Sequence, residues 1–329
     1  MKHPTEVDGR CIVAAEPLAG GRSNPTALLI AEDGARFVLR TRPPGETNPT
    51  AHRIDREVRV LRALAGCGGV PVPRVVAWEP SPASGEAHYV MNFVPGFVPE
   101  DPVLDLFDPR RRRRTWESAV DALAALHAVD PTAVGLDDFG APGEYNARQL
   151  ARWRQRNAEA EQPAALDVLG RTLEDRPPRQ NRRTVVHGDY RLGNWIVNPA
   201  DGSLAAVIDW ELSTLGDPLS DLAYLTLSWL YPRRGSVLPG LAGATPPPGT
   251  PSVDELVTRY AAATGAPLPD DWPRHRALAL FRSASIALGV FRRRAARAGT
   301  VPSTDDMAVV EALAVLGRDL LPFPIRSPA

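Results

Sequence analysis

Lysine is almost missing from this chain of 329 residues. Lys2 is the single example, and the other 37 of the 38 basic residues are arginines. A site that needs a cation anywhere beyond the second residue must therefore use arginine, whose planar five-donor fork is not a neutral replacement for an ammonium group. Cysteine is scarce as well. Cys11 and Cys67 cannot build a disulfide framework or a zinc site, which points to a reducing compartment. Neither sign of charge is in excess, with 38 basic against 39 acidic residues for a net of -1, so a general attraction to nucleic acid or to anionic membrane is excluded. Long apolar runs are absent too. The longest uncharged stretch, 235–253, is broken by Pro239 and by Pro246 to Pro248, so it is expected as a long surface loop and not as a membrane helix. The N-terminal MKHPTEVDGR has no apolar core of a signal peptide, and the expected location is cytoplasmic.

What is present is ample core material, 43% hydrophobic, in a length that fits two domains or one large bilobed one. Before about residue 98 the pattern is strand-like. Cys11 to Glu16, Ala27 to Glu32 and Arg36 to Arg40 are predicted as strands, the last two joined by the hairpin turn Glu32-Asp33-Gly34-Ala35. Ile54, Val58, Leu61 and Leu64 recur at helical spacing within a helix predicted over 49–65, and strands follow at Arg74 to Glu79 and Ala87 to Phe93. After Pro95-Gly96 the chain turns mostly helical. Asp108 is expected to cap a helix with Pro109 at its first position and Trp116, Val120, Leu123 and Leu126 on its buried face. The run Arg110 to Arg114 at its start is expected as a solvated turn. Helices are expected over 146–161 and 163–175, strands over 194–198 and 204–208, and helix again from Pro218, with Ser252 and Glu255 as a capping box.

The chemistry concentrates in VVHGDYRLGN, Val185 to Asn194, and in VIDWE around Asp209. An apolar strand running into His-Gly-Asp places Asp189 on a loop just past a strand end. Asn194 opens the next short strand, and Asp209 closes the hairpin that returns beside it, so the two can converge at one hairpin end. An amide oxygen with a carboxylate is a hard-oxygen pair suited to Mg²⁺, which takes few protein ligands and fills the rest of its shell from phosphate and water. Arg191 supplies a cation that can face a transferring phosphoryl group.

This spacing, Asp-x-basic-x-x-Asn followed by a later Asp, resembles the catalytic loop and metal-binding Asp of protein kinases. With His-Gly-Asp it is more similar to the aminoglycoside phosphotransferase and choline kinase branch. LSTLGDPLSDLAYL at 212–225 is similar to the segment in which an acidic residue, here Asp221, buttresses the catalytic loop, and His187 then belongs to the loop scaffold. GGRSNPT at 20–26 resembles the phosphate-covering turn, FVLRTRPPG at 37–45 the third strand, and YVMNFVPG at 89–96 the interlobe hinge. The tail segments TPSVDELVTRYAAATG and ALFRSASIALGVFRRR add similarity to the kinase-like domains fused to acyl-CoA dehydrogenases.

The resemblance implies an α+β, bilobed protein kinase-like fold, with residues 1–95 as a nucleotide-binding lobe and 96–329 as a catalytic and substrate-binding lobe. It implies an ATP-dependent phosphotransferase acting on a hydroxyl of a small molecule; the alternative is a catalytically inactive nucleotide-binding pseudokinase. Asp189 would accept the hydroxyl proton, with Arg191 balancing phosphate charge. Gly20, Gly21, Ser23 and Asn24 would cover the phosphates, Arg40 and Glu57 would anchor them, and Asn92 and Val94 would meet adenine through backbone groups. Asn194 and Asp209 would hold Mg²⁺. Arg40 stands where such proteins generally carry lysine. The arginines on the distal helix, Arg282, Arg292 to Arg294 and Arg297, favour an anionic or neutral alcohol over a polycationic acceptor.

Overall fold

The computed structural model describes residues 3–18, 24–43, 54–80, 86–159, 161–233 and 238–321. Six strands form one antiparallel sheet: β1 (Glu6–Val7), β2 (Arg10–Pro17), β3 (Thr26–Ala31), β4 (Arg36–Thr41), β5 (Val75–Glu79) and β6 (His88–Asn92), in the spatial order β1-β2-β3-β4-β6-β5. The period of two sorts their side chains. Leu29, Phe37, Leu39 and Val90 join one small core, while Val38, Tyr89 and Met91 face α1 (Ile54–Leu64) and belong to the large core. Ile54, Val58, Leu61 and Leu64 do form the buried stripe of that helix, and Glu57 is buried among them. The part of the predicted helix over 49–53 lies outside the described residues.

The rest is mainly helical: α2 (Pro109–Ala128), α3 (Tyr145–Asn157), α4 (Ala164–Asp175), α5 (Pro218–Thr226), α6 (Val253–Thr264), α7 (Trp272–Arg297) and α8 (Thr304–Asp319). Asp108 caps α2 as expected, accepting from the N–H groups of Arg110 and Arg111 at 2.9 Å, and Ser252 and Glu255 make the capping box of α6. The arginine run differs from expectation. Arg112 is buried and donates to the carbonyls of Val103, Leu104, Phe107 and Pro248, because it lies one turn before Trp116 on the buried face of α2.

Four short strands are set among the helices. β7 (Thr184–Val186) pairs with β10 (Thr214–Gly216), a strand the sequence pattern does not announce, and β8 (Trp195–Val197) pairs with β9 (Leu204–Val207). Asn194 ends a 3₁₀ turn over Leu192–Asn194 and does not open the strand as expected; β8 starts one residue later.

The sheet part and the helical part are stitched together behind β6. Phe97 and Val197 exchange both backbone hydrogen bonds, 3.1 and 2.9 Å. Gly96 makes that approach possible. At φ +151° a Cβ there would lie 2.5 Å from Ile196 Cγ2 and 2.6 Å from the Val197 carbonyl oxygen, so only glycine fits.

Candidate active site

The loop between β7 and β8 is held by backbone groups that need acceptors. Asp221, on α5, is buried and accepts from the N–H groups of His187 at 2.6 Å and Gly188 at 2.9 Å. Burial works to raise its pKa, yet the hydrogen bond and charge of His127 and the bond from His187 hold it below the ordinary carboxyl value. His187 is buried as well. The N–H of Asp189 donates to its Nδ1 at 3.1 Å, which leaves Nε2 to donate to the Ile208 carbonyl at 3.0 Å. Its ring packs on Trp210 with centroids 4.7 Å apart. The histidine therefore acts as scaffold between this loop and the β8–β9 hairpin.

Asp189 projects from that scaffold with its side chain about one-fifth exposed. Asn194 Nδ2 donates both to the Asp189 carbonyl and to its Oδ2, each at 2.8 Å, and Arg191 Nε reaches the same Oδ2 at 3.3 Å. Both side-chain bonds go to Oδ2, so Oδ1 keeps its lone pairs. The Asn194 amide nitrogen is engaged by Asp189, which leaves its oxygen as the ligand this residue could offer.

Asp209 follows β9 in the left-handed region, φ 66° and ψ 61°, an uncommon backbone state for a residue other than glycine. The Ile208 N–H donates to the Asn194 carbonyl at 2.9 Å, so Asn194 and Asp209 stand at the same end of the hairpin.

Across from them, sheet register places Arg40 of β4 opposite Tyr89 of β6, both on the face above α1. Glu57 receives three partners there. Arg40 Nε lies 3.0 Å from its Oε2, the Tyr89 hydroxyl donates to Oε2 at 2.8 Å, and Asn24 Nδ2 donates to Oε1 at 2.9 Å. Burial outweighs Arg40 and Tyr89, and the Glu57 carboxyl is pushed up to about 7. Arg40 also crosses the cleft, donating through Nη2 to Asp209 Oδ1 at 2.6 Å, with Glu211 at 3.7 Å. Burial opposes its charge, but the carboxylate of Glu57 and the charge of Asp209 keep the guanidinium pKa above its ordinary value.

Arg40, Tyr89, Asn194 and Asp209 border one cleft of about 360 Å³ between the sheet and the helical part, within the usual size of a ligand site. Val38 and Met91 line its sheet side, Ile196 and Ile208 the opposite side, and Arg40, Asn194 and Asp209 its polar end. Asn92 and Val94 line it as well. The N–H of Asn92 is engaged by the Arg74 carbonyl and that of Phe93 by the Arg36 carbonyl. The Asn24 side chain is fully buried and donates to Glu57, so that side chain is turned to the anchor and not to a phosphate. Gly20, Gly21 and Ser23 lie outside the described residues.

Among the described residues no group of three or more His, Cys, Asp or Glu side chains gathers to hold a metal. The pair of hard oxygens from Asn194 and Asp209 fits a different demand, that of Mg²⁺ completed by phosphate and water. Also among the described residues, no helix is long and apolar enough to cross a membrane. Tyr89, Glu211 and the Arg40–Asp209 contact were not anticipated from the sequence. For Tyr89 a signal existed, since pairing β4 with β6 in register sets it beside Arg40.

Several known proteins are similar to this chain. Residues 14–278 match the phosphotransferase enzyme family APH. Acyl-CoA dehydrogenase family member 10 of Mus musculus is 38% identical over 304 residues, covering 91% of this chain and 28% of that protein, in line with the tail segments. The chain spans about a third of the length of the curated relatives of this kind. A crystal structure from Ralstonia eutropha JMP134, described as a candidate aminoglycoside phosphotransferase, superposes with a TM-score of 0.81 at 33% identity, covering 95% of each chain. The GDP complex of aminoglycoside 2'-phosphotransferase-IIIa shares the fold, with a TM-score of 0.64, 16% identity and 94% of each chain covered.

Proposed function

Because the chain belongs to the phosphotransferase enzyme family, we propose that it transfers the γ-phosphate of ATP to a hydroxyl group of a small molecule. The observation that carries this reading is that Arg40, Asn194 and Asp209 line the polar end of one cleft while Asn194 also bonds Asp189, which Arg191 reaches as well. The nucleotide complex of a fold neighbour supports nucleotide use. Residues 1–95 would form the nucleotide lobe and 96–329 the catalytic lobe, with adenine between Val38 and Met91 on one side and Ile196 and Ile208 on the other.

Asp189 Oδ1, the oxygen that neither Asn194 nor Arg191 engages, takes the proton of the acceptor hydroxyl as the new O–P bond forms and the bond to the β–γ bridging oxygen breaks, leaving ADP. Asn194 holds Asp189 in the rotamer that aims Oδ1 outward. Arg191 offsets the charge of the phosphoryl group in transfer, and Arg40, backed by Glu57, fixes the remaining phosphates. Asn194 and Asp209 would hold Mg²⁺, which when bound neutralises charge on the phosphate oxygens.

The test is an ADP-release assay of wild type and Asp189→Ala with aminoglycosides, macrolides, nucleosides and hydroxyacyl thioesters side by side. The last class is included because relatives are named as acyl-CoA dehydrogenase family members. Turnover on one class, reduced about 100- to 10,000-fold in the variant with nucleotide binding kept, is expected. Nucleotide binding without turnover on any acceptor, or an Asp189→Ala variant at wild-type rate, would overturn the proposal.

A further inference from the structure

We infer that Arg282, on α7 and 94 residues beyond Gly188, is a positioning residue that sets the orientation of the peptide unit carrying Asp189. The inference rests on the phosphotransfer reading for its catalytic meaning, but the tether itself is a separate structural statement. No motif of the catalytic loop includes this arginine.

The peptide unit joining Gly188 to Asp189 is gripped at both ends. Its N–H donates to His187 Nδ1 at 3.1 Å, and its carbonyl, that of Gly188, accepts from Arg282 Nη2. The preceding peptide unit is held by Asp221, which takes the Gly188 N–H at 2.9 Å. Gly188 itself sits at φ +83°, a conformation it reaches freely and can leave as freely, so its flanking peptides need external restraint to present Asp189 in one direction. Asp221 and His187 restrain the loop from α5 and from within; Arg282 adds a contact to the carbonyl that leads directly into Asp189.

The arginine is in turn fixed in place. Its guanidinium lies 4.9 Å from the centroid of the Tyr224 ring on α5, and the neighbouring Ser283 accepts a 2.7 Å hydrogen bond from the Tyr231 hydroxyl. A charged donor on a carbonyl makes a stronger bond than a neutral one, and a reacting group displaced by about 1 Å loses rate by about 100-fold. Burial works against this cation, and the carboxylates Asp189 and Asp221 hold its pKa above the ordinary value, with the Tyr224 ring face beside it.

Arg282→Met keeps the length of the stem and removes the donor and the charge; Arg282→Lys returns both in part. Each is measured by nucleotide titration, by kcat and KM for ATP consumption with acceptor or water, and by hydrogen exchange of the peptide 184–194. For Arg282→Met we expect kcat to fall about 10- to 100-fold with nucleotide Kd within about twofold. Exchange in 184–194 should be at least about tenfold faster, with peptides of the sheet unchanged and the lysine variant recovering most of both losses. Unchanged exchange and kcat in Arg282→Met would overturn the tether and leave the phosphotransfer reading standing. So would a loss shared equally by nucleotide binding and the sheet peptides and not recovered by lysine, which marks a general packing role. If wild type consumes no ATP while exchange responds as expected, the phosphotransfer reading falls and the tether stands.

Discussion

Glu57→Gln isolates the charge that sits behind the proposed phosphate anchor. The Glu57 carboxyl is buried, and burial raises its pKa from an ordinary 4.5 to about 7 against the pull of Arg40 and the Tyr89 hydrogen bond. Between those two values the unfolded chain has released the proton and the native protein still holds it. The native state therefore binds more protons, and the stability contributed by this group is full below about pH 4.5 and is lost as pH rises through 7. The gap of about 2.5 pH units corresponds to about 3 kcal/mol at 1.36 kcal/mol per unit. The assay is urea unfolding of wild type and Glu57→Gln at steps from pH 4.5 to 8, taking the difference between the two so that groups titrating alike in both cancel. Wild type should lose about 3 kcal/mol relative to the variant between pH 4.5 and 7, and the difference should be flat above 7.5. A difference that does not change with pH would refute the reasoning, because it would mean that Arg40 and Tyr89 overcome burial and keep the carboxylate ionised throughout.

Gly188→Ala should leave the protein folded but damage turnover. A Cβ there would lie 2.6 Å from the Leu212 carbonyl oxygen in a backbone already at φ +83°, a strain of about 1–3 kcal/mol placed next to Asp189, so kcat should drop while the bulk thermal transition moves by a few degrees. Arg112→Met should behave in the opposite way. It strips the guanidinium from the carbonyls of Val103, Leu104, Phe107 and Pro248, and about 1–3 kcal/mol of stability should go at every pH with kcat for ATP consumption kept, read by denaturant midpoints and ADP release.

The parts of the site that were legible in sequence are those whose geometry is local. From His187 to Asn194 the chain makes one loop, and Asn194 and Asp209 flank one hairpin, so spacing alone brings them to the same end. The caps of α2 and α6 are local for the same reason. Contacts between the two halves were not legible. Arg40 and Asp209 are 169 residues apart, and nothing in either neighbourhood states how closely the sheet approaches the hairpin. Arg282 reaches Gly188 over 94 residues from a helix whose arginines look alike in sequence. Arg112 lay between these cases. A charge run reads as solvent-facing, but carrying the apolar stripe of Trp116 and Val120 back by one turn lands on position 112, where the fold uses a guanidinium to satisfy loop carbonyls. β10 was missed because three residues in contact with β7 are too few to show a period.

The double hydrogen bond between Phe97 and Val197 has a mechanical meaning. It ties the strap after β6 to the hairpin, so the segment from Phe93 to Gly96 is the short free span of chain between sheet and hairpin. Arg40, anchored in the sheet and touching Asp209 across the cleft at 2.6 Å, is the gauge that reads how far sheet and hairpin stand apart.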